Sequence, residues 1–335
     1  MESSREFPIL DFSRYSTDFD GFSKDLFAAS NEWGFFILTG HGVEGLERMR
    51  DLASQFFDLP MEEKAEKIID RTLTGYDGKK LTTFAASEGM SFGHPAGGVL
   101  KTENLPTWWD SAKRQEVEDF KSGCYDLSIA IMSCFAVQMG RDRSYFTQFH
   151  QHKEPGNVLK LIKYPRFKER PTGVPRLSEH TDWGSITFVF TDKAGLEIRD
   201  PDDRWFDLPV VPGGVVVNIA DALSLWSKKS LKSTMHRIGW NNLDVTTDRT
   251  SVVYFTHPNN GAVLTKLDKE SSDEPLELTY RDYLKIRSAL TYASTRDGGE
   301  TGDDFEAFDE TALNLVKSLR VANSGVLESH RLEVA

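Results

Sequence analysis

The chain has 335 residues, with 40 Lys plus Arg against 52 Asp plus Glu and a formal net charge of -12. Such an acidic balance lacks the basic face that neutralises phosphates, which argues against a nucleic-acid footprint. There is no apolar run of about eighteen residues to span a membrane, and the N-terminus enters Phe7-Pro8-Ile9-Leu10 without a charged-then-apolar leader. Cys124 and Cys134 fall in one helix-like segment, where a rise of ~1.5 Å per residue holds them beyond disulfide reach. Packing thiols in a reducing, cytoplasmic setting are the expectation.

In chain order, Phe7–Phe12 reads as a short opening strand, and residues 16–20 offer cap residues for a helix through Asn31. The apolar run Trp33–Leu38 reads as a buried strand closed by Thr39-Gly40-His41-Gly42. Leu46, Met49, Leu52, Ala53 and Phe56 recur at helical spacing and predict a helix over Val43–Phe57, stopped at Leu59-Pro60. Residues 61–69 begin another short helix. Residues 71–110 interleave glycines with Tyr76, Phe84, Phe92, Trp108 and Trp109, which predicts a long loop serving as lid or wall over a substrate pocket. Ala112–Met139 is the longest helical pattern, and its apolar second half suits a helix backing a sheet.

From Val158 the period changes to two. Strands are predicted at Val158–Tyr164, Ser185–Phe190, Leu196–Arg199, Trp205–Asp207, Gly214–Ile219, Ser233–Trp240 and Ser251–Phe255, separated by Gly, Pro, Asp and Asn. That pattern suits an antiparallel sandwich or jelly roll. Residues 279–294 and 308–321 read as closing helices. No linker argues for separable domains, so one compact unit over 1–335 is expected. It divides into a mainly helical region 1–150, a catalytic core 155–260 and closing helices within 275–325.

The chemistry centres on Ser178–Phe190. Its right half is strand-like, and in a strand His180 and Asp182, two apart, point the same way. An imidazole beside a carboxylate supplies two thirds of a 2-His-1-carboxylate site for Fe(II). On its own the pair is ambiguous, since surface hydrogen bonds and core histidines look the same. His236, in the strand after the Lys228-Lys229-Ser230 turn, is the third candidate ligand. His41, His94, His257 and His330 fall in loops or the tail, and His150 with His152 forms a polar pair at a helix end; these read as solvated.

Arg249, Ser251, Val253 and Phe255 share one strand face. A guanidinium and a hydroxyl there can clamp a carboxylate, although an exposed strand-end arginine gives the same pattern. Lys160, Ile162 and Tyr164 share another face, where Lys160 either meets an acidic group of a substrate or snorkels at a sheet edge.

Taken together, these residues resemble the isopenicillin N synthase-like branch of the Fe(II)/2-oxoglutarate-dependent dioxygenases, over nearly the whole chain. The resemblance rests on the opening Phe7–Phe12, Trp33-Gly34-Phe35-Phe36 through Gly40-His41-Gly42, Tyr164-Pro165 and the Gly195–Ile198 turn. It also rests on Val217–Asp221, the ordered set His180, Asp182, His236, and the pair Arg249, Ser251. Ile162 departs from the asparagine frequent near the tyrosine, and Ala220 from the glycine frequent before Asp221.

The resemblance implies an α+β fold, a double-stranded β-helix (jelly roll) core with flanking helices mostly from the N-terminal half. It implies Fe(II) held by His180, Asp182 and His236, with 2-oxoglutarate held by Arg249, Ser251 and Tyr164. It further implies O2 as the oxidant and stimulation by ascorbate. The keto acid is converted to succinate and CO2 as a small-molecule substrate is hydroxylated, desaturated, or closed or expanded into a ring. Specialised metabolism or nucleobase salvage is the expected setting, and Tyr76, Phe92, Lys160, Ile162, Val253, Phe255 and Arg287 are the expected substrate-side residues. Two other readings stay open: an O2-dependent Fe(II) oxidase of the same fold that needs no keto acid, and a non-catalytic cupin-like module holding Zn.

Overall fold

The computed structural model describes residues 6–70, 72–78, 87–93, 100, 102–151, 156–170, 175–269, 272–292 and 308–323. Its strands are β1 (Ile9–Asp11), β2 (Phe35–Thr39), β3 (Gly75–Gly78), β4 (Glu88–Phe92), β5 (Val158–Tyr164), β6 (Leu177–His180) and β7 (Ile186–Phe190). The chain continues through β8 (Leu196–Arg199), β9 (Trp205–Asp207), β10 (Val215–Ile219), β11 (His236–Ile238), β12 (Arg249–Thr256), β13 (Val263–Lys269) and β14 (Ser272–Thr279). One sheet runs β1-β2-β10-β7-β12-β5-β4-β3 and a second β6-β11-β8-β9, while β13 and β14 pair as a separate hairpin. From β5 to β12 the chain steps back and forth between the two sheets, the winding of a jelly roll.

Alternation along each strand sorts side chains between two environments. Leu159, Leu161, Phe188, Phe190, Val215, Val217, Val252 and Tyr254 leave the large sheet on its outer face and are buried under the helical layer. The helix Ser111–Gln138 covers that face. It is capped by Asp110, whose carboxylate accepts from the Lys113 backbone N–H at 3.0 Å. Val117, Phe120, Cys124, Leu127 and Ile131 recur at helical spacing on its buried side, and Phe120 meets Phe190 edge to face at 5.4 Å. The helix is long and apolar enough to cross a membrane, but these residues are the ones that pack on the sheet. Burying each leucine or phenylalanine contributes about 1.5–3 kcal/mol. Cys124 and Cys134 are both buried free thiols.

The inner face of the large sheet looks toward the small one. Arg249 pairs in register with Tyr164, Ser251 with Ile162, and Val253 with Lys160. Tyr164, Ile162, Leu177, Ile238, Leu243 and Trp240 fill the space between the sheets at this end.

The structure corrects two expectations. Residues 71–110 do not form a simple loop: β3 and β4 make a hairpin that extends the large sheet through β5. Its glycines sit within strands, which hides the alternation. Tyr76 and Phe92 take the outer face, where Phe92 packs on Trp109 at 4.7 Å and Tyr76 lies 6.1 Å from Phe56. Phe84 and His94 lie outside the described residues, as do His152 and His330. The hairpin β13–β14 was not expected, because a Lys- and Glu-rich stretch containing Pro275 has weak β propensity.

Candidate active site

β6 ends at His180, so Asp182 occupies the turn that carries the chain across to β7 rather than a continuation of the strand. The shared direction expected from strand alternation is instead produced by this turn. Gly184 permits it: a Cβ there would come 2.5 Å from the backbone oxygen of Thr256. His236 begins β11 directly opposite His180. The two imidazole centroids are 4.3 Å apart, and each Nε2 lies 3.8 Å from Asp182 Oδ1. Among the described residues these three ligand atoms form a cluster within 4.8 Å.

Hydrogen bonds behind the cluster fix its chemistry. His180 Nδ1 lies 2.9 Å from the Ser178 carbonyl and His236 Nδ1 3.2 Å from the Thr234 carbonyl. A carbonyl only accepts, so each Nδ1 carries the proton and each Nε2 presents a lone pair to the cluster. Asn218 donates to Asp182 Oδ2 at 2.9 Å, which leaves Oδ1 turned toward the imidazoles. Burial raises the Asp182 pKa, but His236, His180, Thr187 and Asn218 outweigh it and hold the group below the usual carboxylate range. Burial pushes His236 down to about 4. Two imidazoles that present Nε2 and one carboxylate on a single side suit a ferrous ion with open positions.

Arg249 and Ser251 lie farther along the same inter-sheet space. Arg249 is 2% exposed; its Nη1 donates to Ser251 Oγ at 2.5 Å and its Nε to the Ala194 carbonyl at 3.2 Å. A buried guanidinium whose hydrogen bonds go to a hydroxyl and a carbonyl, not to a carboxylate among the described residues, favours an incoming anion. The Tyr164 ring lies beside it, 5.6 Å from the guanidinium carbon. Ile238, two residues after His236 on β11, packs with Tyr164 and links the two sites.

A cavity of about 580 Å³ opens in front of the cluster, bordered by His180, Asp182, Trp183, Val158, Lys160, Leu177, Met235, Phe255, His257 and Arg287. Lys160, Phe255 and Arg287 therefore border it. Ile162 and Val253 keep the inward face but are not on its wall: Ile162 packs with the Tyr164 cluster and Val253 is 6% exposed. Tyr76 and Phe92 face away, and their alternate neighbours are the ones that turn inward. Ser91 lines the cavity, and Asp77 pairs with Lys160 at 3.3 Å. The lysine is thus held in an ion pair.

Several residues escaped the sequence reading. His257 borders the cavity, with Nδ1 bonded to the Tyr280 hydroxyl. His150 is fully buried, its Nδ1 2.8 Å from the Phe146 carbonyl and its Nε2 2.7 Å from Ser185 Oγ. Neither is solvated. Asp221 is a buried hub: it accepts from Thr181, Ser233 and Tyr283 at 3.0, 2.6 and 3.0 Å, with Arg287 at 3.4 Å. It joins both ligand-bearing segments to the helix Tyr280–Tyr292. Asp221 closes the Val217–Asp221 segment that carries the resemblance and opens the helix Asp221–Trp226, but the partners of a single His or Asp leave no periodicity in the chain.

Comparison with known proteins agrees with this geometry. Residues 7–111 match the family described as non-haem dioxygenase in morphine synthesis N-terminal, and residues 137–258 match the 2OG-Fe(II) oxygenase superfamily. UPF0676 protein C1494.01 of Schizosaccharomyces pombe is 33% identical over 86% of this chain and 94% of its own. The chain belongs to the 2OG-Fe(II) oxygenase superfamily. A 2-oxoglutarate-dependent dioxygenase of Didymella fabae is 30% identical to this oxygenase over 79% of the chain and 88% of its own. A full-length Neurospora crassa protein, solved in complex with alpha-KG and thymine, superposes with a TM-score of 0.71 at 26% identity, covering 87% of the oxygenase and 99% of its own chain. The oxygenase is a non-haem Fe(II)/2-oxoglutarate dioxygenase of the isopenicillin N synthase-like type, with a jelly-roll core.

Proposed function

We propose that this dioxygenase oxidises a small organic acid with an apolar body, in specialised metabolism. His180, Asp182 and His236 would hold the iron; Arg249, Ser251 and Tyr164 would hold the far carboxylate of 2-oxoglutarate. Bound there, iron and 2-oxoglutarate supply the oxidising chemistry, with O2 consumed and the keto acid released as succinate and CO2 while the substrate is oxidised. The protein's own contribution is placement. Val158, Leu177, Met235, Trp183 and Phe255 give the cavity an apolar wall that limits water, and Lys160 with Arg287 gives it a cationic one.

The observation that carries this reading is a meeting of three features in one inter-sheet space. They are a His/Asp/His cluster, a buried guanidinium whose hydrogen bonds among the described residues go to no carboxylate, and a cavity bordered by two cations. Lys160 pairs with Asp77 and Arg287 with Asp221, and neither of these acids is on the cavity wall, whose acidic residues are Asp182 of the cluster and Glu179. An anionic substrate group therefore meets the basic end of each pair.

A screen of carboxylate-bearing aromatic and aliphatic metabolites, with nucleobases as the uncharged comparison, tests it. Succinate release would be followed under Fe(II), ascorbate and O2. Coupled release with organic acids supports the reading. Product formed without any keto acid, or turnover confined to cationic or uncharged compounds, would refute it.

A further inference from the structure

A second arginine lies beside the Tyr164 ring that Arg249 approaches. Arg176 immediately precedes β6 and its side chain is buried, at 1% exposure. Its guanidinium carbon lies 5.3 Å from the Tyr164 ring, 4.6 Å from Phe167 and 5.8 Å from Trp240, and Nη2 donates to the Pro165 carbonyl at 3.1 Å. Arg249 approaches the same Tyr164 ring at 5.6 Å. One phenol is therefore flanked by two buried guanidinium groups, one on each of two chain segments that meet only in the folded protein.

Two like charges buried this close repel, and each is costly to remove from water. Burial and Arg249 together pull the Arg176 pKa down to about 10. The same arrangement becomes favourable once a carboxylate enters beside Arg249, because that anion is attracted by both cations. Cation–π contact also fixes the plane of the Tyr164 ring. We propose that Arg176 is a positioning residue of the co-substrate site: it holds the Tyr164 ring against Arg249 and adds the second positive charge that selects a keto acid with a distal carboxylate. The inference rests on 2-oxoglutarate use by this enzyme and goes beyond the Arg249/Ser251 pair.

The test compares 2-oxoglutarate with 2-oxovalerate, a keto acid of equal chain length without the distal carboxylate. Both are titrated anaerobically into the Fe(II) protein, following the metal-to-ligand charge-transfer band, for wild type, Arg176→Met and Arg176→Lys. Arg176→Met should raise the apparent Kd for 2-oxoglutarate by about ten-fold or more, and that for 2-oxovalerate by less than about two-fold. Arg176→Lys should recover part of the selectivity, since it keeps the charge and loses the planar stack. An equal weakening of both keto acids would make Arg176 a purely structural residue and overturn the proposal, as would an unchanged ratio in Arg176→Met. If Arg176→Met does not fold, an Arg176→Lys protein with wild-type selectivity overturns it as well. A wild-type protein without a 2-oxoglutarate band would defeat the co-substrate assignment itself, a separate outcome from a present band with unchanged selectivity.

Discussion

His236 stands directly across from His180 on neighbouring antiparallel strands, although four strands and a helix separate the two in the chain. The turn after His180 brings Asp182 to the same side, and Asn218 holds it there through Oδ2. His180→Ala, Asp182→Ala and His236→Ala should each lose Fe(II) binding and turnover. Asn218→Ala should fold normally and weaken Fe(II) by about 10–100-fold. Competition titration against a metal indicator measures this; wild-type affinity in Asn218→Ala would show that the amide does not orient the carboxylate.

Arg249 is buried with a hydroxyl and a carbonyl as its partners. Arg249→Ala should raise the 2-oxoglutarate concentration needed for half-maximal rate by roughly ten- to a hundred-fold, the scale of one or two charge-assisted bonds. Iron content should not change. An unaltered 2-oxoglutarate requirement would remove this arginine from the co-substrate site.

Lys160 borders the cavity and is held by Asp77 on the neighbouring hairpin. Lys160→Ala should raise KM for the main substrate while leaving substrate-free 2-oxoglutarate consumption as it was. Asp77→Asn should shift KM in the same direction by a smaller amount, since it frees the lysine without removing its charge. Steady-state kinetics with and without substrate separate these effects, and a change in the uncoupled rate would count against the role.

Asp221 ties Thr181, Ser233, Tyr283 and Arg287 together in a buried network. Asp221→Asn leaves Arg287 buried without its counter-charge, which should cost about 3–5 kcal/mol. Urea unfolding of the metal-free protein reads this directly. A loss below about 1 kcal/mol, within the range of surface substitutions, would mean that the network is not under load.

His150 predicts a pH dependence. Burial pushes its pKa from 6.5 down to about 4 in the folded protein. The unfolded chain therefore binds the proton more readily, so stability is complete above about pH 6.5 and falls as pH drops toward 4. The contribution is roughly 3 kcal/mol at most. His150→Gln should flatten this part of the stability–pH curve, measured by denaturant unfolding between pH 7 and 4.5. An identical slope in the variant would assign the dependence to other groups.

Sequence alone determined which segments form strands and helices wherever one face is buried, because a single buried face imposes a period on the side chains. Leu196–Arg199 and Trp205–Asp207 fall where alternation placed them, and Ser111–Gln138 falls within a residue of its apolar pattern at each end. The resemblance to a known family also singled out His180, Asp182 and His236, which the fold brings together, and Arg249 with Ser251, which hydrogen-bond to each other. The inward faces of β5 and β12 were legible, but those of β3 and β4 were not. Tyr76 and Phe92 look as suitable for a pocket as Asp77 and Ser91 do, until pairing with β5 sends one pair to the core and the other toward the cavity.

Tertiary structure alone decided the contacts of Arg176, Asn218, Asp221, His150 and His257. Each depends on a partner from a distant segment, and a hydrogen bond or ring contact leaves no period in the chain. Periodicity records burial summed over many residues, whereas a site is made of single contacts between segments that only folding brings together.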